Sequence, residues 1–524
     1  MKLIYSILIS LFVLTNLSKA NTDLPDSCER LLSLASLKPK NINCETNKKW
    51  KNFGGTVLNS PALFIEPRSE EQVSAIVKAA NKLEWRIRPV GSGHSWSQFT
   101  KTNQILMGTH KLVKPIVINH NPENPTVTTA SGMVLKYAVK ELKEKGYALP
   151  NLGSMQSQTF GGVVSTNTHG TGITKTGFAG LVESLRLVDG MGAVRVLSKN
   201  QNPELFYSAL SGAGMVGIIT ELTIKIEKDY YLEVLQSFRS IDKLFNSDEW
   251  LNQLNENEWF SMLWPIHEKT ATILTRNRIS KSQTIPKQYW KKKRKGSQRG
   301  FTLEKRGGLM QKNAKAALFA RKHVTNRFIS LMAKDPDTWE GIFNILYRFV
   351  PAFTSSVPSN YHYSEAISDN YDVEEWDWNI ETEVFFPIEF LPEYIKELKK
   401  YSKSLKKEGR GLVAPFIGLR FVKGDDSYLS PTYIHKGYDK FVAVTLYDHS
   451  LTEYSTQWFK DNLKMMHKVI NDPTLIRMHL GKIYHDSEGH FQKRFYNWDK
   501  FKAARMESDP KGLFLNKWTE KFFD

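Results

Sequence analysis

Arg88-Pro89-Val90-Gly91-Ser92-Gly93-His94-Ser95-Trp96-Ser97 is the stretch from which the rest of the chain is read. The residues from Trp85 to Val90 predict a short strand that ends abruptly at the glycines. A dinucleotide needs backbone N–H groups aimed at its pyrophosphate, and only glycine lets a chain come that close in a tight turn. One Gly-x-Gly turn is a weak signal by itself. A second stretch, rich in glycine and hydroxyl groups, adds to it: Gly153-Ser154, Gly161-Gly162 and Thr166-Asn167-Thr168-His169-Gly170-Thr171-Gly172. Two such loops imply a long ligand cradled from two sides. Neither matches G-x-G-x-x-G followed by an acid at the nicotinamide spacing, nor a P-loop, which argues against a Rossmann site.

Outward from this turn, the first half mixes helix and strand signals. Ser69 and Gln72 form a capping box, and Val73, Ile76, Val77 and Ala80 follow at helical spacing, predicting a helix that runs to about Leu83. A second helix is expected from about Val134 to Lys145, with Gly146 as its stop. Leu181–Val188 and Val194–Leu197 flank Asp189-Gly190-Met191-Gly192, a hairpin signal, and Ile218–Ile226 reads as a further strand. Beyond about residue 230 the chain becomes richer in aromatic residues. Strands are expected there at Glu381–Phe386, Phe416–Val422 and Phe441–Tyr447, with a helix over Leu451–Ile470. The pattern is α+β rather than a strict βαβ repeat.

At 524 residues the chain predicts two large domains. Lys2, the apolar stretch Leu3–Val13 and Ser18-Lys19-Ala20 read as a leader over residues 1–20, and hence as an exported protein, periplasmic or secreted. Residues 21–48 hold both cysteines, Cys28 and Cys44. Their spacing suits a short disulfide loop or two free thiols, and neither is excluded. It makes a poor metal site, and no metal is expected elsewhere. The net charge of +18 is concentrated at Lys287–Lys322, where thirteen Lys or Arg face one acid, Glu304. Such a run is ordinarily a solvated insertion, here placed at 285–325, and it could also touch an anionic membrane. No nucleic-acid module accompanies it, so no nucleic-acid partner is expected.

Several ordered segments together resemble the vanillyl-alcohol-oxidase-type flavoproteins, and within them the aldonolactone oxidases, with alditol oxidase close by. They are Trp50-x-Asn52-Phe53, the Arg88–Ser97 stretch, Leu149-Pro150-Asn151-Leu152-Gly153, Thr168–Gly172, Gly217-Ile218-Ile219-Thr220, Arg420-Phe421-Val422, His479-Leu480-Gly481-Lys482 and Asp509–Asn516. The resemblance implies a two-subdomain PCMH-type FAD-binding domain at 49–230. It also implies a C-terminal α+β substrate (cap) domain with an antiparallel sheet at 231–524. Gly91, Ser92, Gly93, His94, Ser95, Thr159, Gly162, Thr168, His169, Gly170, Thr171, Ile219 and Thr220 are then expected around FAD, with His94 bonded to the isoalloxazine 8α-carbon. The second loop has no cysteine, so any covalent link is single.

By the same resemblance, Lys482 supplies positive charge near the flavin, Glu383 meets the substrate hydroxyls or their proton, and Arg420 anchors the substrate. The implied reaction oxidises a small sugar lactone such as D-arabinono-1,4-lactone and passes electrons to O2 to give H2O2. An alditol oxidase and a dehydrogenase with another acceptor share the scaffold. A silent flavin- or sugar-binding surface protein is the reading from another class. Two departures stand out: Phe53 replaces the second tryptophan of the early motif, and Leu480 replaces the tryptophan beside Lys482. The latter implies that an aromatic wall next to the sugar is lost or moved.

Overall fold

Leu63–Glu66, Ile87–Val90 and Ile105–Gly108 are short and almost wholly buried, as parallel strands covered on both faces must be. The first two each pair in parallel with the third. The helix Glu70–Leu83 makes the crossover and buries Val73, Ile76, Val77 and Ala80. Ser69 caps it by accepting from Gln72 N–H. The reciprocal bond differs from a standard capping box, because Gln72 Oε1 accepts from the Arg68 N–H at 2.8 Å, one residue before the cap. Asn43–Thr46 adds an antiparallel edge strand, and a Cys28–Cys44 disulfide ties it to the helix Cys28–Leu34. The computed structural model describes residues 28–280, 359–367, 380–408, 416–448, 453–483 and 491–523. The leader at 1–20 and the basic insertion at 285–325 lie outside them.

A second, antiparallel sheet runs in the order Val194–Ser198, Val182–Val188, Ile218–Lys225, Thr126–Ala130, Val117–Asn119. The hairpin expected at Asp189–Gly192 is formed. Asp189 Oδ1 accepts from the N–H groups of Met191 and Ala193, and Gly192 takes the positive φ of 76° that closes the turn. The helices Leu135–Glu144 and Phe160–Ser165 share this sheet's core, with Leu135, Val139, Leu142, Phe160 and Val164 buried among Leu185, Leu187 and Leu222.

The chain leaves these sheets after Lys228 and at Tyr231 enters a third sheet, which has eight strands among the described residues. Its centre is Trp259–Pro265, Phe416–Lys423, Lys440–Asp448 and Ile380–Pro387, all antiparallel neighbours in that order. Side chains alternate between the faces of a strand. Val384, Phe386, Ile417, Leu419, Phe421, Val442, Val444 and Leu446 therefore share one face, packed with the helices Leu391–Lys407 and Glu453–Val469. Glu381, Glu383, Gly418, Arg420, Thr445 and Tyr447 fall on the other, which is turned toward the first two sheets.

The C-terminal segment does not stay with the third sheet. The helix Trp498–Ser508 packs on Pro203–Ala209, and Leu513 and Phe514 complete the core of the first sheet. The Ile87 N–H donates to Leu513 O at 2.9 Å, and the Asn516 amide donates to the carbonyls of Gln98, Phe99 and Lys101. A linear division at 231 thus omits a return of the chain that packs against Ile87–Arg88 and Gln98–Lys101, on either side of the Gly91–Ser95 turn.

Candidate active site

The Gly91–Ser95 turn and the Thr159–Ser165 segment line the same cleft. Gly91, Ser92, Gly93, His94, Ser95, Thr159, Gly162 and Ile219 line it. The glycines are there for space as well as conformation. A Cβ on Gly91 would collide with Thr159 Oγ1, and one on Gly161 would lie 3.0 Å from Ser131 Cβ, while Gly93 takes a φ of 71°. Arg88, 1% exposed, stiffens the strand below by donating to the carbonyls of Phe99, Ala213, Gly214 and Phe514. Burial lowers its guanidinium to about 9, against the pull of Asp509.

His94 lies where this cleft meets a second cavity. Its Nε2 is 3.0 Å from Ser157 Oγ, Phe53 packs on the ring at 4.8 Å, and Nδ1 is buried without a hydrogen-bond partner. Burial, helped by the charge of Lys482, lowers the imidazole to about 4, so the ring is neutral at physiological pH. A neutral ring with an uncommitted nitrogen at the end of a close-backed cleft fits a histidine that meets a dinucleotide's ring system.

The second cavity brings together residues far apart in sequence: Lys482, Glu383, Arg420, Thr168 and His169, joined by Glu381, His479 and Ser154. Lys482 Nζ is hydrogen-bonded to Glu381 and sits 4.4 Å over the Trp96 ring. Arg420 Nη2 donates to Ser154 Oγ at 2.8 Å. Glu383, 2% exposed, accepts from Thr445 Oγ1 at 2.6 Å and faces His169 Nε2 at 3.2 Å. Burial alone would raise its carboxyl. His169, Lys482 and His479 outweigh that and hold it well below the usual carboxylate range. His479 is fixed by Gly481 N–H, which donates to Nδ1 at 3.0 Å, and burial lowers its ring to about 3. The ring is therefore neutral, with its proton on Nε2.

Ligand atoms of His169, Glu383 and His479 lie within 4.8 Å of one another, which suits a cation on distance alone. The hydrogen bonds do not: His479 Nδ1 is taken by an N–H and leaves Nε2 protonated, and His169 has oxygen acceptors at both nitrogens.

Other expected residues lie elsewhere. Thr220 Oγ1 donates to Glu70 Oε2 at 2.6 Å, joining the Glu70–Arg186 ion pair rather than the cleft. Gly170 packs on Leu152 and Asn151, and the Thr171 hydroxyl bonds Phe260 O while accepting from Phe421 N–H at 3.1 Å, clamping the loop to the third sheet. His169 lines the second cavity, not the first. Leu480 is wholly buried in the core with Leu149 and Phe160, so the aromatic wall expected to change at this position is not a wall of the cavity; Trp96 supplies the aromatic surface. Sequence reading missed Glu381, which strand alternation beside Glu383 could have found. It also missed Ser157 and Thr445, for which no local signal exists.

Residues 61–198 match the family described as FAD binding domain, and residues 222–522 match the family described as D-arabinono-1,4-lactone oxidase. The D-arabinono-1,4-lactone oxidase of Kluyveromyces lactis is 31% identical over 254 residues, which is 47% of this chain and 47% of that protein. That alignment spans about half the relative's length. The L-gulonolactone oxidase of Bos taurus is 23% identical across 91% of this chain and 98% of that protein. Among solved structures, a solvent-stable cholesterol oxidase superposes with a TM-score of 0.73 at 15% identity, covering 92% of this chain and 98% of that one, a likeness of fold. The second family covers more than half of the sequence, and its span holds Glu383, Arg420 and Lys482, while Gly91–Ser95, Thr159 and Gly162 of the cleft fall in the span matched as FAD binding domain. The chain belongs to the D-arabinono-1,4-lactone oxidase family.

Proposed function

We propose that the protein is an FAD-dependent oxidase that oxidises a CH–OH carbon of a sugar lactone such as D-arabinono-1,4-lactone and delivers the electrons to O2 as H2O2. The observation that carries this reading is the position of His94, at the junction of a glycine-backed cleft and a cavity walled by Glu383, His479, Lys482 and Arg420. Gly91–Ser95, Thr159, Gly162 and Ile219 would hold the dinucleotide. FAD, when bound, supplies the acceptor for the hydride and its two electrons.

The chain's own groups do the rest. Glu383, ionised and dry, accepts the hydrogen bond of the reacting hydroxyl and takes its proton as the C–H bond breaks and C=O forms. Arg420 and Ser154 hold a second substrate oxygen, and Lys482 sets positive charge beside His94. We further infer a single covalent flavin link at His94. The uncommitted Nδ1 supports it, and the disulfide leaves neither cysteine to form a second one. The same disulfide supports an exported location, in an oxidising compartment.

Purified protein with a panel of aldonolactones and alditols should release one H2O2 per substrate oxidised, fastest with a lactone. Turnover of alditols alone, or only with a quinone or other artificial acceptor, would replace this reading with an alditol oxidase or a dehydrogenase.

A further inference from the structure

His169 reaches across from the second glycine-rich loop to the strand that carries Glu383. Its Nδ1 lies 2.8 Å from Gly170 O, and since a carbonyl cannot donate, Nδ1 carries a proton. Its Nε2 lies 3.2 Å from Glu383 Oε2, so a proton also occupies the space between imidazole and carboxylate. The ring is held edge-on by Phe385 at 5.0 Å and tilted against His479 at 5.8 Å. Both partners of the pair are almost fully enclosed, yet both line the substrate cavity. A side chain placed only to contact the cofactor would not point at the acidic wall of the neighbouring cavity.

The geometry points to His169 as a positioning residue for Glu383: its Nε2–H keeps the carboxylate ionised and turned so that a free lone pair meets the reacting hydroxyl. This rests on the reading of Glu383 as proton acceptor. Other groups face Glu383 from every side. Thr445 donates to Oε1 from the adjacent strand, and His479 and Lys482 come from the segment after Arg477–Met478. Arg420 and Tyr447 stand on the same sheet face, and Glu381, which carries the same negative charge as Glu383, is bonded to Lys482. His169 meets Oε2 of Glu383 at 3.2 Å, while Thr445 occupies Oε1, so the imidazole is the partner on the second carboxylate oxygen. Without it, burial governs and the acid form of Glu383 persists to higher pH.

The test compares FAD-loaded, full-length wild type with His169→Ala, His169→Gln and Glu383→Gln. The reading is the pH dependence of the rate at which D-arabinono-1,4-lactone bleaches the flavin absorbance. In His169→Ala the acid limb should move up by a pH unit or more, a loss of about tenfold on that limb, with KM altered far less than kcat. His169→Gln, which keeps an N–H near the carboxylate, should recover much of the plateau rate. Independently of turnover, the Tm deficit of His169→Ala should widen as pH rises and should vanish when Glu383→Gln is combined with it, because the uncompensated charge is then gone. An unmoved acid limb, or a Tm deficit independent of pH and of Glu383, would overturn the positioning role while an inert Glu383→Gln left Glu383 as the acceptor. Wild-type bleaching by Glu383→Gln would overturn both.

Discussion

His94 shows how little of a residue's chemistry its identity specifies. In water an imidazole is partly protonated near neutrality, whereas here burial and Lys482 lower it to about 4 and leave Nδ1 without a partner. Acid precipitation of purified wild type should therefore give a yellow pellet, and His94→Ala should give a colourless pellet with all the flavin in the supernatant. Colour retained in the His94→Ala pellet would remove the assignment. Leu480 makes the opposite point. Its position beside Lys482 suggests a cavity wall, but the side chain turns into the core, so the neighbour that shapes the site is Trp96, nearly four hundred residues earlier. Sequence adjacency fixes the backbone, not the direction in which the side chain leaves it.

The elements around the site were largely legible because they depend on short-range rules. The helix Glu70–Leu83 follows from its cap and apolar spacing, and the strand Ile380–Pro387 from β-branched and aromatic residues. Period-2 alternation then accounts for Glu381 and Glu383 on one face and Val384 and Phe386 on the other. The tight fit between the two glycine loops is an element-scale property as well. Gly91→Ala drives a methyl group into Thr159 Oγ1, an overpacking cost of about 1–3 kcal/mol. The variant should melt several degrees lower and retain less FAD, and Thr159→Ala added to it should restore part of both. A single Gly91→Ala with full FAD content and unchanged Tm would show that the turn does not need this close approach.

At the scale of the whole molecule, the site exists because three sheets and a returning C-terminus converge. Thr171 and Gly172 bind the second loop to Phe421, placing the cap sheet's polar face against the cleft. Convergence also buries titratable groups, and this makes stability depend on pH. His479, ordinarily near 6.5, is held at about 3 in the fold, so between those values the unfolded chain binds more protons than the native one. Stability must then rise with pH across that window and be lost as pH falls through it, by up to about 1.4 kcal/mol per unit from this one group. Thermal melts should show Tm falling between pH 6.5 and 4, with a shallower slope in His479→Gln; equal slopes would contradict the neutral buried ring.

The sequence by itself determined the α+β elements, the two glycine loops and the family resemblance, and it singled out Glu383, Arg420 and Lys482 as candidates, because each rests on local spacing or on motifs read in order. Only the tertiary structure decided that Lys482 is paired with Glu381, that Thr220 serves Glu70, and that His169 leaves the cofactor cleft for a carboxylate 214 residues away. Those outcomes depend on which strand faces which loop after packing, and no local propensity carries that information.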